Sequence, residues 1–297
     1  MNTAPKNEDS LRGFGFALTA YLMWGFLPIF MKAISHISPA EVIAHRVLWS
    51  LPIAGVVLLL TRRTADLMVA LRTPRMLIMA AATAALITIN WGIYVWSIGA
   101  GHTLDAALGY YINPLFSVLI GAVFLGETLK PAQKWALALA ALAVIILTIE
   151  AGTVPLVALG LTLTWGTYAF LKKSLPIGPN QGFFLEVLIL TPFALSYIIW
   201  SEVTGNAHFM AGVPRDTWML LACGVVTAVP LMIYANGAKL LRLSTIGILQ
   251  YVAPTMIFLT AVFVFGEEFG RVKLVAFAMI WMALILYTTA MLRRTKA

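Results

Sequence analysis

Two charged residues sit deep inside long apolar stretches. Arg46 lies in AEVIAHRVLWSLPIAGVVLLLT (40–61), about two turns from its start, and Glu186 lies at a matching depth in NQGFFLEVLILTPFALSYIIW (180–200). A charge at the centre of a membrane helix costs roughly 2.5–3.5 kcal/mol on insertion scales, so such residues usually face an interior or a water-filled path. Arginine offers five donors in a planar fork, which suits a carboxylate or phosphate group. A glutamate can hold a cationic group or take up a proton, so Glu186 is a candidate for proton coupling. A site holding both residues suits a zwitterion such as an amino acid. The alternative is that Arg46 and Glu186 bind helix carbonyls or each other as structural ties, or that Arg46 snorkels outward along its stem.

Polar and aromatic residues recur on other stretches. INWGIYVW places Asn90 and Tyr94 four apart, on one helix face, with Trp91 one step round. GYYINP sets Tyr110, Tyr111 and Asn113 before Pro114, and LQYVAP sets Gln250 and Tyr251 before Pro254. A proline inside a helix frees the carbonyl four residues back, here Tyr110 and Gln250, and a cavity wall can accommodate that defect. Trp24 and Trp165 each open a mid-helix Trp-Gly pair, and Tyr234 stands where Tyr94 stands in the other half. Trp24, Asn90, Trp91, Tyr94, Tyr110, Tyr111, Trp165, Tyr234, Gln250 and Tyr251, with Arg46 and Glu186, form the expected substrate-binding set. His45 points about 100° away from Arg46 around the helix and is expected in the core or facing lipid. No His, Cys or carboxylate set has metal-ligand spacing, and no cofactor is expected. Glu127 and Glu267 each follow a glycine at a helix end, where capping is the expected role.

The elements that must position these residues follow from composition. The chain has 297 residues, 61% apolar and 11% charged, with a mean hydropathy of +0.91. Soluble domains carry about 25% charged residues. Ten stretches have the length to span a bilayer, roughly 13–33, 39–61, 76–98, 104–125, 132–150, 153–172, 179–201, 216–239, 244–265 and 271–292. The loops between them are short, and the expected fold is an all-α polytopic membrane protein.

A net charge of +8 could suggest a nucleic-acid partner, but the basic residues sit in the short loops. With the N-terminus cytoplasmic, fifteen fall on that side: Lys6, Arg12, Arg62, Arg63, Arg72, Arg75, Lys130, Lys134, Lys172, Lys173, Lys239, Arg242, Arg293, Arg294 and Lys296. Lys32, Arg215, Arg271 and Lys273 fall on the other. This positive-inside bias places both termini in the cytoplasm. The polar N-terminus MNTAPKNEDSLRGFGF lacks the short apolar core of a cleaved signal peptide, and the single Cys223 excludes an internal disulfide.

The halves also repeat. WGFLPIFMK (24–32) matches WGTYAFLKK (165–173) at an offset of 141, and from there the offset becomes 140. Pro39, Arg46, Pro52, Tyr94, Pro114 and Gly126 then align with Pro179, Glu186, Pro192, Tyr234, Pro254 and Gly266. Each half, 1–150 and 151–297, holds five expected spans, so the second enters the membrane from the opposite side. Inverted repeats are a recurring build of secondary transporters, with the substrate near the midplane between the halves.

Together with that repeat, PLFSVLIGAVFLGETL (114–129) and PTMIFLTAVFVFGEEF (254–269) resemble the drug/metabolite transporter superfamily, EamA type. YLMWGFLPIFMKAI and AHRVLWSLPI resemble more narrowly its RarD branch. The resemblance spans essentially the whole chain. It implies a bacterial inner-membrane carrier with both termini inside, spans 1–4 and 6–9 around a central cavity, and spans 5 and 10 peripheral. It also implies an exporter of small polar or amphipathic metabolites, amino acids among them, working by alternating access. The expected partners are that small molecule, the lipid bilayer and protons as coupling ion. No GxxxxGK[ST] loop is present, so direct use of ATP is not expected. A channel or sensor is the alternative, and a membrane-embedded enzyme, for which no nucleophile or base cluster stands out, is the third.

Overall fold

Serine and proline mark where the helices begin. Ser10 and Ser38 accept from the backbone N–H groups of Gly13 and Glu41, at 3.4 and 3.2 Å, and so cap the two helices that follow them. Proline stands at the start of helices at Pro39, Pro74, Pro131, Pro179 and Pro214, where a missing N–H leaves no bond unmade. The computed structural model describes residues 10–62, 64–124, 131–174, 176–238, 240–241 and 249–294. Gly126, Glu127, the first residues of the span expected over 244–265, and Lys6, Arg63, Lys130, Lys239, Arg242 and Lys296 lie outside the described residues.

Among the described residues all regular structure is helical: α1 (Leu11–Ala33), α2 (Pro39–Leu60), α3 (Ala65–Leu71), α4 (Pro74–Gly99), α5 (Thr103–Phe124), α6 (Pro131–Ala151), α7 (Leu156–Ser174), α8 (Pro179–Val203), α9 (Pro214–Ala238), α10 (Val252–Leu259) and α11 (Arg271–Arg294). Seven of these, α1, α2, α4, α6, α8, α9 and α11, are long and apolar enough to cross a membrane. The sequence reading expects ten. Of the other three expected stretches, α5 is described over 22 residues, and two are apolar but shorter, Leu156–Lys172 within α7 and Val252–Val264, which is α10 with the turn that follows it. The loop expected after α2 contains the short α3.

Near Pro254 the chain departs from the expected mid-helix kink. Gln250 and Tyr251 form a turn and α10 begins at Val252, which places Pro254 in a first turn, where proline is tolerated. Beyond α10 a π-helical turn (Thr260–Val264) leads to Gly266, whose φ of +68° suits a residue without a Cβ. That turn delivers Glu267 to the start of α5, where its carboxylate accepts from the backbone N–H groups of Thr103 and Leu104 at 2.8 and 2.9 Å. A carboxylate at a helix N-terminus satisfies donors that would otherwise be orphaned.

The packing runs between the halves more than within them. α2 lies against α8 and α9, α5 and α4 against α7, and α1 against α9 and α10, while α6 and α11 pair with each other. Small residues bring the helices close. The Thr162 hydroxyl of α7 donates to the Gly109 carbonyl of α5 at 2.9 Å, and a Cβ at Gly109 would meet the Ala158 carbonyl oxygen at 2.7 Å. Gly109→Val must therefore push α5 off α7. The expected loss is about 1–3 kcal/mol, the usual range for overpacking, read as a lower thermal midpoint in detergent, with Gly15→Ala, which meets nothing within 4 Å, as the unaffected control.

Candidate functional site

Helices from both halves leave a cavity of about 140 Å³ between them. Its wall is largely aromatic. Tyr21 and Trp24 come from α1, Trp91 and Tyr94 from α4, Tyr110 from α5, Trp165 from α7 and Tyr234 from α9. The rings form a connected series. Tyr21, Trp24 and Tyr234 meet with centroids 5.5–5.6 Å apart, Trp24 meets Trp165 at 6.4 Å, Trp165 meets Tyr110 at 6.4 Å, and Tyr110 meets Tyr94 at 5.9 Å. Edge-on and tilted contacts of this kind hold rings in fixed orientations.

Arg46 reaches this cavity from α2. It is only 3% exposed, yet no carboxylate among the described residues pairs with it. Its Nε donates to the Thr227 hydroxyl at 3.0 Å, and its guanidinium lies 4.6 Å from the centre of the Trp91 ring. The Thr227 hydroxyl donates in turn to the Cys223 carbonyl at 2.7 Å, which leaves its oxygen free to accept from Arg46. Nη1 is buried and has no hydrogen-bond partner among the described residues. The guanidinium is thus aimed and steadied but not neutralised.

Asn90 is fixed differently. Its amide nitrogen donates to the Leu161 carbonyl at 3.2 Å and to the Thr164 hydroxyl at 2.9 Å, both on α7, and its oxygen accepts from Tyr110 at 3.4 Å. These bonds tie α4, α5 and α7 into one wall. Two lining groups remain open: the Tyr94 hydroxyl and the Asn113 amide oxygen are buried without a partner among the described residues.

Of the residues expected from sequence, Trp24, Arg46, Asn90, Trp91, Tyr94, Tyr110, Trp165, Tyr234 and Gln250 line this cavity. Tyr111, Tyr251 and Glu186 do not. Tyr111 and Tyr251 line a separate crevice between α5, α10 and α11, where the Tyr111 hydroxyl sits 2.8 Å from that of Thr255. Adjacent helical residues point about 100° apart, and on α5 that turns Tyr110 to the cavity and Tyr111 to the crevice. Glu186 is buried between α8, α4 and α7. Its carboxylate accepts from Lys172 at 2.5 Å, Thr83 at 2.7 Å and Tyr168 at 3.2 Å. Arg46 and Glu186 therefore do not share a site. The sequence reading missed Tyr21, Asn113 and Thr227 as lining residues. Tyr21 and Asn113 stand three residues from Trp24 and Tyr110 on the same faces, a legible signal; Thr227 carries none.

One end of the bundle is fastened by polar contacts between the halves. His36 meets Asp216 at 3.0 Å, Glu41 accepts from the His208 ring and backbone at 2.8 and 2.7 Å, and Ser38 meets Tyr197 at 3.0 Å. Glu267 at the start of α5 belongs to the same end.

A profile of the EamA-like transporter family matches the chain twice, over residues 11–149 and 153–289. The chain belongs to the EamA-like transporter family, in its RarD branch. Protein RarD of Escherichia coli strain K12 is 36% identical over 94% of this chain and 95% of its own length, and Protein RarD of Streptomyces exfoliatus is 38% identical over 96% and 90%. An uncharacterized transporter of Vibrio cholerae serotype O1 is 41% identical over 97% and 95%. A solved crystal structure shares the fold, with a TM-score of 0.61 at 19% identity over 94% of this chain and 97% of that one. The protein is accordingly a multi-pass membrane transporter of the bacterial inner membrane.

The Glu186 cluster makes a prediction of its own. Removing one member of a buried ion pair costs about 3–5 kcal/mol because the other charge is left uncompensated. The Lys172 side chain keeps 18% of its surface exposed, which moves Glu186→Gln toward the low end. Adding Lys172→Met to Glu186→Gln should recover most of the loss in thermal midpoint. A single variant as stable as wild type would show that the pair does not hold α7 to α8.

Proposed function

We propose that this EamA-family protein is a secondary transporter that moves a small polar or amphipathic metabolite bearing an acid group, the class that includes amino acids, through the Arg46 cavity. In this reading ten helices cross the membrane as two inverted five-helix halves, residues 1–150 and 151–297, with both termini cytoplasmic. The observation that carries it is the cavity itself: helices of both halves close around a buried, unneutralised guanidinium and a ring-lined wall. That construction supports alternating access, in which opening either end would move one half against the other. Export is the proposed direction, by family resemblance.

The fastened end favours a carrier over a channel. His36–Asp216 and Glu41–His208 join the halves on one side, as an occluding carrier requires and a continuous pore does not. Protons are the proposed coupling ion, with Glu186 as the acceptor. In the present arrangement the carboxylate accepts from three donors, the charged Lys172 among them, so withdrawal of Lys172 would favour proton uptake. A flux that keeps its full dependence on the pH gradient in Glu186→Gln, Lys172→Met would remove Glu186 from that role.

Counterflow in proteoliposomes tests the carrier reading. With a panel of labelled amino acids and small organic acids, at least one solute should show saturable uptake driven by unlabelled solute inside. Charge-assisted hydrogen bonds contribute about 1.5–3 kcal/mol, so Arg46→Ala should raise the half-saturating concentration about 10- to 100-fold. Flux linear in concentration for every permeant solute would favour a channel.

A further inference from the structure

We infer that the cavity selects an organic acid with an apolar, ring-sized body and no ammonium group, the acid supplying the counter-charge that Arg46 lacks. This rests on the carrier reading and narrows its substrate class.

The argument is a census of carboxylates. A carboxylate is the strongest receiver for a zwitterion's ammonium group, and no Asp or Glu lines the cavity among the described residues. The described carboxylates are all placed elsewhere. Glu186 is enclosed by Lys172, Thr83 and Tyr168; Glu41 and Asp216 hold His208 and His36; Asp105 holds His102; and Glu267 caps α5. Glu150, Glu202 and Glu268 are exposed, and Glu8, Asp9, Asp66 and Glu127 lie outside the described side chains.

Among the described residues the cavity's one charge is therefore positive and uncompensated. Among the described residues Arg46 Nη1 is buried with no partner, and so is the Tyr94 hydroxyl, which can donate to an acid; the Asn113 amide oxygen is also open but only accepts, so it takes no part in holding the acid. A carboxylate on Nη1 would complete the guanidinium fork. A nearby ammonium would meet the same field as repulsion, and the tyrosine and tryptophan faces that attract cations in isolation share the cavity with Arg46. The rings of Tyr21, Trp24, Trp165 and Tyr234 present apolar surface to the body of the ligand instead.

The test uses three probes that differ only in their charged groups: 3-phenylpropanoate, L-phenylalanine and 2-phenylethylamine. Binding to the purified full-length protein is measured by calorimetry and by thermal midpoint, and counterflow by labelled probe. The expected order is 3-phenylpropanoate first, phenylalanine at least 10-fold weaker, and the amine without effect. Thr227→Asp places a carboxylate beside Arg46, where the ligand's acid is proposed to sit; this variant should keep its fold and lose 3-phenylpropanoate binding. The wild-type comparison stands even if that variant misfolds. Phenylalanine binding as tightly as 3-phenylpropanoate, or tighter, overturns the inference and leaves the carrier standing if its counterflow saturates. Failure of 3-phenylpropanoate to bind wild type likewise overturns the organic-acid assignment. Non-saturable flux of 3-phenylpropanoate overturns the carrier and the inference together.

Discussion

An arginine that is 3% exposed and faces no carboxylate among its described neighbours needs support from every element around it. Desolvating such a charge costs several kcal/mol even after relaxation, and cation–π contact and one hydroxyl return only part of that. The support comes from several helices at once. Trp91 of α4 lies under the guanidinium, Thr227 of α9 takes Nε, and α9 is tied through its own backbone carbonyl at Cys223. Wall rigidity is a condition for this. Asn90 pins α4 to α7, and Tyr110 pins α5 to α4 by its bond to Asn90 and to α7 by its ring contact with Trp165, so the rings near Arg46 are held in place.

The position repeat-related to Arg46 meets the same problem with the opposite sign and solves it internally. Glu186 is surrounded by Thr83, Tyr168 and Lys172. At the offsets of 140 and 141 that relate the halves, these three correspond to Cys223, Leu27 and Met31. All three counterparts are buried, and none is charged or acidic. Glu186 thus has polar partners drawn from both halves, at positions whose repeat counterparts carry no charge and no hydroxyl. The half without an internal counter-charge is the one whose charged residue lines the cavity. That asymmetry within a repeated sequence separates a buried charge enclosed by its partners from one open to the cavity, and residue type alone does not make the distinction.

Depth and residue type were legible in the sequence; rotation about the helix axis was not. Arg46, Trp24, Asn90 and Trp165 could be placed at cavity depth by counting from the span ends. In a soluble helix the apolar stripe fixes which face is inside. In a membrane helix lipid is as apolar as the core, so packing of small residues sets the rotation. This is why Tyr111 and Tyr251 were grouped with Tyr110 and Gln250, although the structure turns them into the α5–α10–α11 crevice. The repeat held the answer in part: Tyr110 corresponds to Gln250 and Tyr111 to Tyr251 at an offset of 140, and each pair shares one destination. The turn at 250–251 was hidden for another reason, since a proline near a helix start and one in mid-helix look alike in a continuous apolar run.

The fastened end and the cavity are mechanically joined through α2. That helix carries Glu41 at its first turn, held by His208, and Arg46 about one turn further on, held by Thr227. Opening this end must break Ser38–Tyr197 and Glu41–His208, both anchored at the start of α2. A helix transmits such a displacement along its axis because its backbone bonds are all internal. Arg46 then shifts against α9 and α4, where the contacts with Thr227 and Trp91 are short enough to be lost by a small translation. An anion bridging Arg46 to the ring wall would resist that shift until α2 and the wall moved together. In the proposed carrier the buried guanidinium therefore sits where ligand occupancy and the state of the fastened end would bear on the same helix.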